Sequence, residues 1–430
     1  MRLEKSCPLP KTHNRLRQMH ELWHEAAAAY SDPDEFTTKL NACVQAARSV
    51  TFVLKKEHSK SHGFEEWYAG CEARMRNDPL MRWLVKARNA IEKEGDLETQ
   101  SEAVVSLAVG AHEQVLKTMQ VPPLLPPELV AAAVDVGGLD DGLRRDGVMI
   151  VERRWTVAEL ADGELLDVLG HCYGVLATVV RDAHARLGVV MRTFGGELHG
   201  SRHDRADHPT GRLPCMTATG ELRTAYWHLG LDSLLDYEVT ATELDRDEAS
   251  FEETRTRYGP ALGSHRVYPG MPVEEQAEAM HRIGRHVLQV DGYHRTYAWL
   301  HAGDKPVAQL ALDPEDQQDK AVKTRMLAAD VDRLGADVVF YVAETWLAMP
   351  VPPDDPRFKL RAGERADRKE ALVTYLLQRD GASVMWTSVF ERDYEGKITF
   401  TEPSRSELDD LTIFEPVLRV WRGWDVGRTS

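Results

Sequence analysis

The spacing of apolar residues changes once along this chain, and the change limits what it can fold into. Over residues 14–97 apolar side chains recur at helical intervals, whereas beyond Ser101 runs such as AVVSLAV (103–109) are strand-like. The first stripe is Leu16, Met19, Trp23, Ala26, Ala27 and Tyr30. The second, opened by Asp32-Pro33, is Phe36, Leu40, Cys43, Ala47, Val50 and Leu54. Phe64, Trp67, Tyr68, Cys71 and Met75 form the third. Asp78-Pro79 opens the fourth, Leu80, Trp83, Leu84, Ala87 and Ile91, which stops at Gly95-Asp96. Aspartate followed by proline is a strong helix start, and four amphipathic helices with short joins predict an up-down bundle.

After the change, GVMIVERRW (147–155) reads as a second strand and Leu165 to Leu187 as a long helix, available as a fifth bundle member. VPPLLPPELV (121–130) reads as a linker and DVGGLDDGLRRDG (135–147) as a turn-rich connector. LRTAYWHL and DYEVTATEL follow as a strand pair, and RYGPALGSHRVYPGMP (257–272) as punctuation at a domain boundary. Beyond it the pattern gives a helix over 273–301, a strand at 306–312, a helix over 315–335 and then strands. DVVFYVA (337–343) is apolar on both parities, the pattern of a strand buried on both faces. EALVTYLL, SVMWTSVF and KITF complete a meander. The expectation is a multidomain α+β protein: a four- or five-helix bundle (1–100), a mixed middle segment (101–272) able to complete the bundle or to stand apart from it, and a C-terminal α+β domain (273–430) with a mostly antiparallel sheet.

A length of 430 residues fits two or three domains. There is no apolar run long enough to span a bilayer, and the N-terminus lacks the apolar core of a secretory signal, so a cytoplasmic protein without membrane attachment is expected. The five cysteines are odd in number, dispersed and without a C-x-x-C, which argues against a disulfide framework and a cysteine zinc site. The net charge of -16 argues against a general nucleic-acid coat. Residues 1–100 are nevertheless nearly neutral, with 16 basic and 15 acidic residues, so a polyanion would meet that part first. No phosphate loop, nucleophile elbow or dinucleotide fingerprint is present, and no nucleotide cofactor is expected.

Arg88-Asn89, near the end of the fourth helix, resembles the motif of the HEPN superfamily, helical bundles of which many are metal-independent ribonucleases in toxins and antiviral systems. The resemblance covers about residues 14–100. It implies Arg88 as a phosphate-binding cation and Asn89 as its polar companion. The family's histidine is absent: Lys93, Glu94 and Gly95 stand where it should fall, leaving Glu94 as the substitute general base. The resemblance thus implies a non-catalytic HEPN-like module binding RNA or a protein partner, in a toxin or antiviral setting, paired as a homodimer. The competing reading is an enzyme, either a ribonuclease using Arg88 or a metal-dependent hydrolase using a histidine site. Arg88 also sits at the edge of its helix's apolar stripe, where arginine stems often pack structurally.

Three further patterns carry metal chemistry. His20-Glu21-Leu22-Trp23-His24 fits H-E-x-x-H, a zinc pair with its general base, although on the helical wheel these are flank residues. His199, His203 and His208, with Asp204 and Asp207 between them and Arg192, Arg202 and Arg205 nearby, could hold a metal or a phosphate in a loop. Pro353-Asp354 with Asp367-Arg368-Lys369 formally matches a magnesium nuclease pattern. In the C-terminal domain Glu344 and Arg368 are candidates for a partly buried ion pair. No cofactor is expected, zinc or magnesium at these patterns being the alternative.

Overall fold

The computed structural model describes residues 7–135, 137–139, 141–160, 163–189, 208, 210–235, 248–262, 270–352, 354–408 and 411–425. It is an α+β protein with helices first and antiparallel sheets after them. Helices α1 (Pro10–Ala28), α2 (Pro33–His58), α3 (Phe64–Asn77) and α4 (Pro79–Lys93) form at the four stripes. Asp32 accepts from the backbone N–H of Asp34 and Glu35, and Asp78 from those of Leu80 and Met81, which satisfies first-turn donors that the helix itself leaves unpaired.

The middle segment contributes β1 (Gln100–Val109), β2 (His112–Gln120), α5 (Pro127–Ala132), α6 (Asp141–Asp146), β3 (Val148–Thr156), α7 (Leu165–Arg186), β4 (Thr224–His228), β5 (Ser233–Leu234) and α8 (Glu248–Leu262). Helix α7 packs into the bundle core: Leu165, Leu169, Cys172, Tyr173 and Leu176 join Leu16, Trp23, Phe36 and Leu84 in one cluster. The five strands form an antiparallel sheet in the order β2-β1-β3-β4-β5. The proline-rich stretch read as a linker holds α5, whose Val130 and Ala131 are buried against Ala103, Val105 and Val151 of that sheet. The punctuation at 257–272 is helical through Leu262, and Arg257 and Tyr258 bond Asp291. The second strand of the pair, DYEVTATEL, lies outside the described residues.

The C-terminal part contains α9 (Val273–Asp291), β6 (Tyr297–Ala302), β7 (Lys305–Ala311), α10 (Gln317–Leu334), β8 (Val338–Leu347), β9 (Lys369–Gln378), β10 (Val384–Arg392), β11 (Ile398–Phe400), β12 (Ser404–Glu407) and α11 (Glu415–Asp425). The helix expected over 273–301 ends at Asp291, because Gly292 takes the left-handed conformation (φ +78°) and its N–H closes on Leu288 O. Tyr297–Ala302 is then a strand. The second sheet runs β11-β10-β9-β8-β6-β7, with β12 on β10. Strand β8 is buried on both faces, as its composition predicts. Phe340 and Val342 face α9, while Val339 faces α10 and α11. Helix α10 lies between the sheets: Ala321 packs on Ala108, Val148 and Ile150 of the first, and Leu327 and Val331 on the second. None of the described helices is long and apolar enough to cross a membrane.

Candidate functional site

A cavity of about 500 Å³ opens where α7, the first sheet, α10 and α11 meet. Its walls are built by local rules. Gly170 and Gly174, one turn apart on α7, let the 210–216 backbone cross the helix closely. A Cβ at Gly174 would lie 2.6 Å from Thr210 O. That crossing delivers Arg212, and the 3-10 turn Thr219–Arg223 after it delivers Arg223. Arg325, Ala328 and Asp332 recur at helical spacing on the cavity face of α10. Helix α11 adds Arg419 and Arg422. Ala218, at the turn, holds a positive φ (+54°), which a non-glycine residue rarely adopts, and its N–H bonds Asp332 at 2.9 Å.

Among the described residues the lining includes six arginines (154, 212, 223, 325, 419, 422) and four carboxylates (Glu152, Glu164, Asp167, Asp332). Behind the wall, Glu113 of β2 receives both arms of Arg325 (2.8 and 2.9 Å) and one of Arg419 (3.1 Å). Glu152 bonds Arg154 at 3.1 Å and lies 3.5 Å from Arg325. Arg223 meets Glu164 at 2.7 Å and Asp167 at 3.1 Å, and Arg212 meets Asp332 at 2.9 Å. Asp332 also accepts from Trp424 Nε1 at 2.7 Å.

Burial alone would raise the carboxyls of Glu113 and Glu152, but the surrounding arginines outweigh it and hold both at about 2. Both are therefore anions at neutral pH. Glu164 goes the other way: burial pushes it up against the pull of Arg223, with Asp167 adding to the rise, and Tyr30 Oη donates to it at 3.1 Å. Arg223 is 5% exposed, and its Nε has no acceptor among the described residues. The carboxylates are mostly deep, while Arg419 and Arg422 are 27% and 62% exposed at the mouth. Arginine forks held by buried carboxylates are fixed in direction before any ligand arrives, which lowers the ordering cost of binding.

The residues singled out from sequence are elsewhere. Arg88 is half-buried, paired with Glu92 one turn on and 3.3 Å from Asn89 Oδ1, and neither it, Asn89 nor exposed Glu94 lines the cavity. His20 and His24 do come together, Nε2 to Nε2 at 3.1 Å, but His20 is fully buried rather than on a flank. Glu21 pairs outward with Arg17, and the third donor at the histidines is Cys215, 3.2 Å from His20. His199 and His203 lie outside the described residues, as do Asp204, Asp207, Arg192, Arg202 and Arg205. His208 is buried and bonds Asp332 O at 2.5 Å and Thr210 Oγ1 at 2.6 Å. Glu344 pairs with Arg392 at 3.0 Å, not with Arg368, which lies over the Trp346 ring. The register explains this: Glu344 faces Leu372 on β9, and Arg368 precedes that strand. Asp367 is taken by Arg365 and Arg357, and Lys369 is exposed at the start of β9.

The site itself was missed. One signal was available, since Glu152, Arg153 and Arg154 interrupt a strand whose first half is apolar on both parities; another was the Gly170/Gly174 spacing on a long helix.

Comparison with known proteins extends over most of the chain. Protein ea47 of Escherichia phage lambda is 26% identical over 339 residues, covering 77% of this chain and 78% of that one. No solved structure matches. The family model described as bacteriophage lambda protein ea47 matches residues 1–425, so the chain belongs to the phage lambda ea47 family.

Proposed function

We propose that this phage-family protein is a binding protein for a nucleotide phosphate, presented free or at the end of an RNA, and that the arginine-lined cavity is its binding site. The observation that carries this reading is the set of six arginines around one cavity, several fixed by carboxylates behind them. Guanidinium forks match phosphate oxygens two at a time, which a lysine cannot do. A cavity of about 500 Å³ suits a mononucleotide-sized group. Leu80, Val168, Met326 and Val420 give part of the wall an apolar surface for a base. The HEPN resemblance, with its RNA partner and its pairing of two copies, is compatible with this reading but supplies none of its residues.

The test is binding of a labelled 5′-phosphorylated RNA in EDTA, with competition by a mononucleotide, its unphosphorylated nucleoside and a dicarboxylate. Arg419→Ala and Arg422→Ala are each expected to weaken binding about tenfold, the effect of losing one charge-assisted bond. The mononucleotide should compete and the nucleoside should not. Binding that is indifferent to both arginines, or equal competition by the nucleoside, overturns the reading. The same reactions, run with Arg88→Ala, report any metal-independent cleavage.

A further inference from the structure

We infer that His20, His24 and Cys215 form a zinc site that clips α1 to the segment crossing α7. His20 and His24 stand one turn apart on α1, and their Nε2 atoms lie 3.1 Å from one another. Cys215 Sγ, nearly 200 positions later, is 3.2 Å from His20 Nε2, and all three donor atoms fall within 4.8 Å of each other. In a tetrahedral zinc centre, bonds of about 2.0 Å to nitrogen and 2.3 Å to sulfur put neighbouring donors about 3.3–3.6 Å apart. Small side-chain adjustments reach that geometry. Two imidazoles and one thiolate are a borderline-soft set that suits zinc rather than magnesium or calcium.

The surroundings hold the donors in place. Trp23 packs edge-on against His24, and the Tyr173 ring lies 5.6 Å from that of His20. The Tyr173 hydroxyl is buried and has no hydrogen-bond partner among the described residues. Buried hydroxyls without partners are uncommon. Binding exchanges the Cys215 thiol proton for the metal and releases that proton to solvent.

Glu21 points away from the donors and pairs with Arg17, so the H-E-x-x-H general base is missing and the centre is structural, not hydrolytic. What it fixes is the 210–223 segment, which carries Arg212 and Arg223 into the cavity. A second trio, Cys7, His13 and His184, meets the same distance criterion and has to be kept out of the readout.

The experiment uses untagged full-length protein carrying Cys7→Ser, loaded with Co²⁺ as a spectroscopic stand-in for zinc. One equivalent of tetrahedral cobalt with a thiolate-to-metal charge-transfer band is expected. Cys215→Ser should abolish that band, and His24→Gln should weaken Zn²⁺ binding at least tenfold, with circular dichroism showing that both variants fold. Added Zn²⁺ should raise the unfolding midpoint of the Cys7→Ser protein and leave that of Cys7→Ser/Cys215→Ser unchanged. Absence of the band in the Cys7→Ser protein overturns the proposal, and so does a band that survives Cys215→Ser. Nucleotide binding is read separately, through Arg419 and Arg422.

Discussion

His208 and His281 are both carried uncharged inside the fold. Burial pulls each down to about 4, helped by Arg212 beside His208 and Arg285 beside His281. Unfolded, each would titrate near 6.5. The stability they hold is therefore complete above about 6.5 and lost as pH falls toward 4, roughly 3 kcal/mol for each group. Glu113 and Glu152 act in the next window. Their folded values of about 2 lie below the unfolded 4.5, so their contribution goes as pH drops through that lower range. Urea midpoints measured from pH 7 to pH 3 should therefore fall from about pH 6.5 downward. His281→Gln should lower the midpoint at pH 7, because bonds to Thr374 and Ser388 at 2.9 and 2.8 Å are lost. It should also flatten the decline between 6.5 and 4; a slope as steep as the parent's would refute the assignment. Neither His281 nor Glu113 stands out in sequence. A buried histidine and a surface one are the same letter, and what distinguishes them comes from strands about a hundred positions away.

The two Asp-Pro helix starts test how much an element owes to its own sequence. Asp32 only caps α2 and is exposed. Asp78 caps α4 and also holds His171 of α7 at 2.7 Å. Asp32→Ala is expected to cost about 1 kcal/mol, and Asp78→Ala about 2–4 kcal/mol because a charge-assisted bond goes with the cap. Equal losses in urea unfolding would mean that the tie to α7 contributes nothing. Helices of this kind were legible because cap, proline and stripe all lie within one segment. Strand β2 was not, since HEQVLKTMQ is an edge strand whose one buried residue is Glu113, a charge where apolar alternation would be looked for. Helix α11 was overlooked for a related reason: Trp421 and Trp424 alternate with arginines in a segment of only 11 residues.

Across the molecule, Arg325 is the joint. From a helix packed between two sheets it reaches Glu113 and Glu152 on the first, while its neighbours on α10 serve the second. Arg325→Met leaves Glu113 with only part of its compensation, and a loss of about 3–5 kcal/mol is expected. Calorimetry should then resolve two melting transitions where the parent shows one, because contacts between the first sheet and α10 no longer hold the halves together. A single transition in both proteins would show that apolar packing alone couples them. The organisation into a helical bundle followed by sheets was readable from hydrophobic period. The convergence of arginines on one cavity was not, because each is paired with a residue from a different element and only the assembled fold puts them side by side.

Helix α11 supplies the mouth of a cavity whose rear wall begins at Leu80. On the ribosome, at about 5–20 residues per second, roughly 10 to 50 s separate the synthesis of Arg154 from that of Arg422. Once Leu234 has been added the bundle and first sheet have been made, yet Glu113 and Glu152 still lack both Arg325 and Arg419. A nascent chain at that stage carries buried-type carboxylates exposed to water and a cavity without its α10 and α11 walls. Premature termination between residues 235 and 411 should therefore yield a helical bundle and first sheet that lack α11, and with it Arg419 and Arg422 at the cavity mouth.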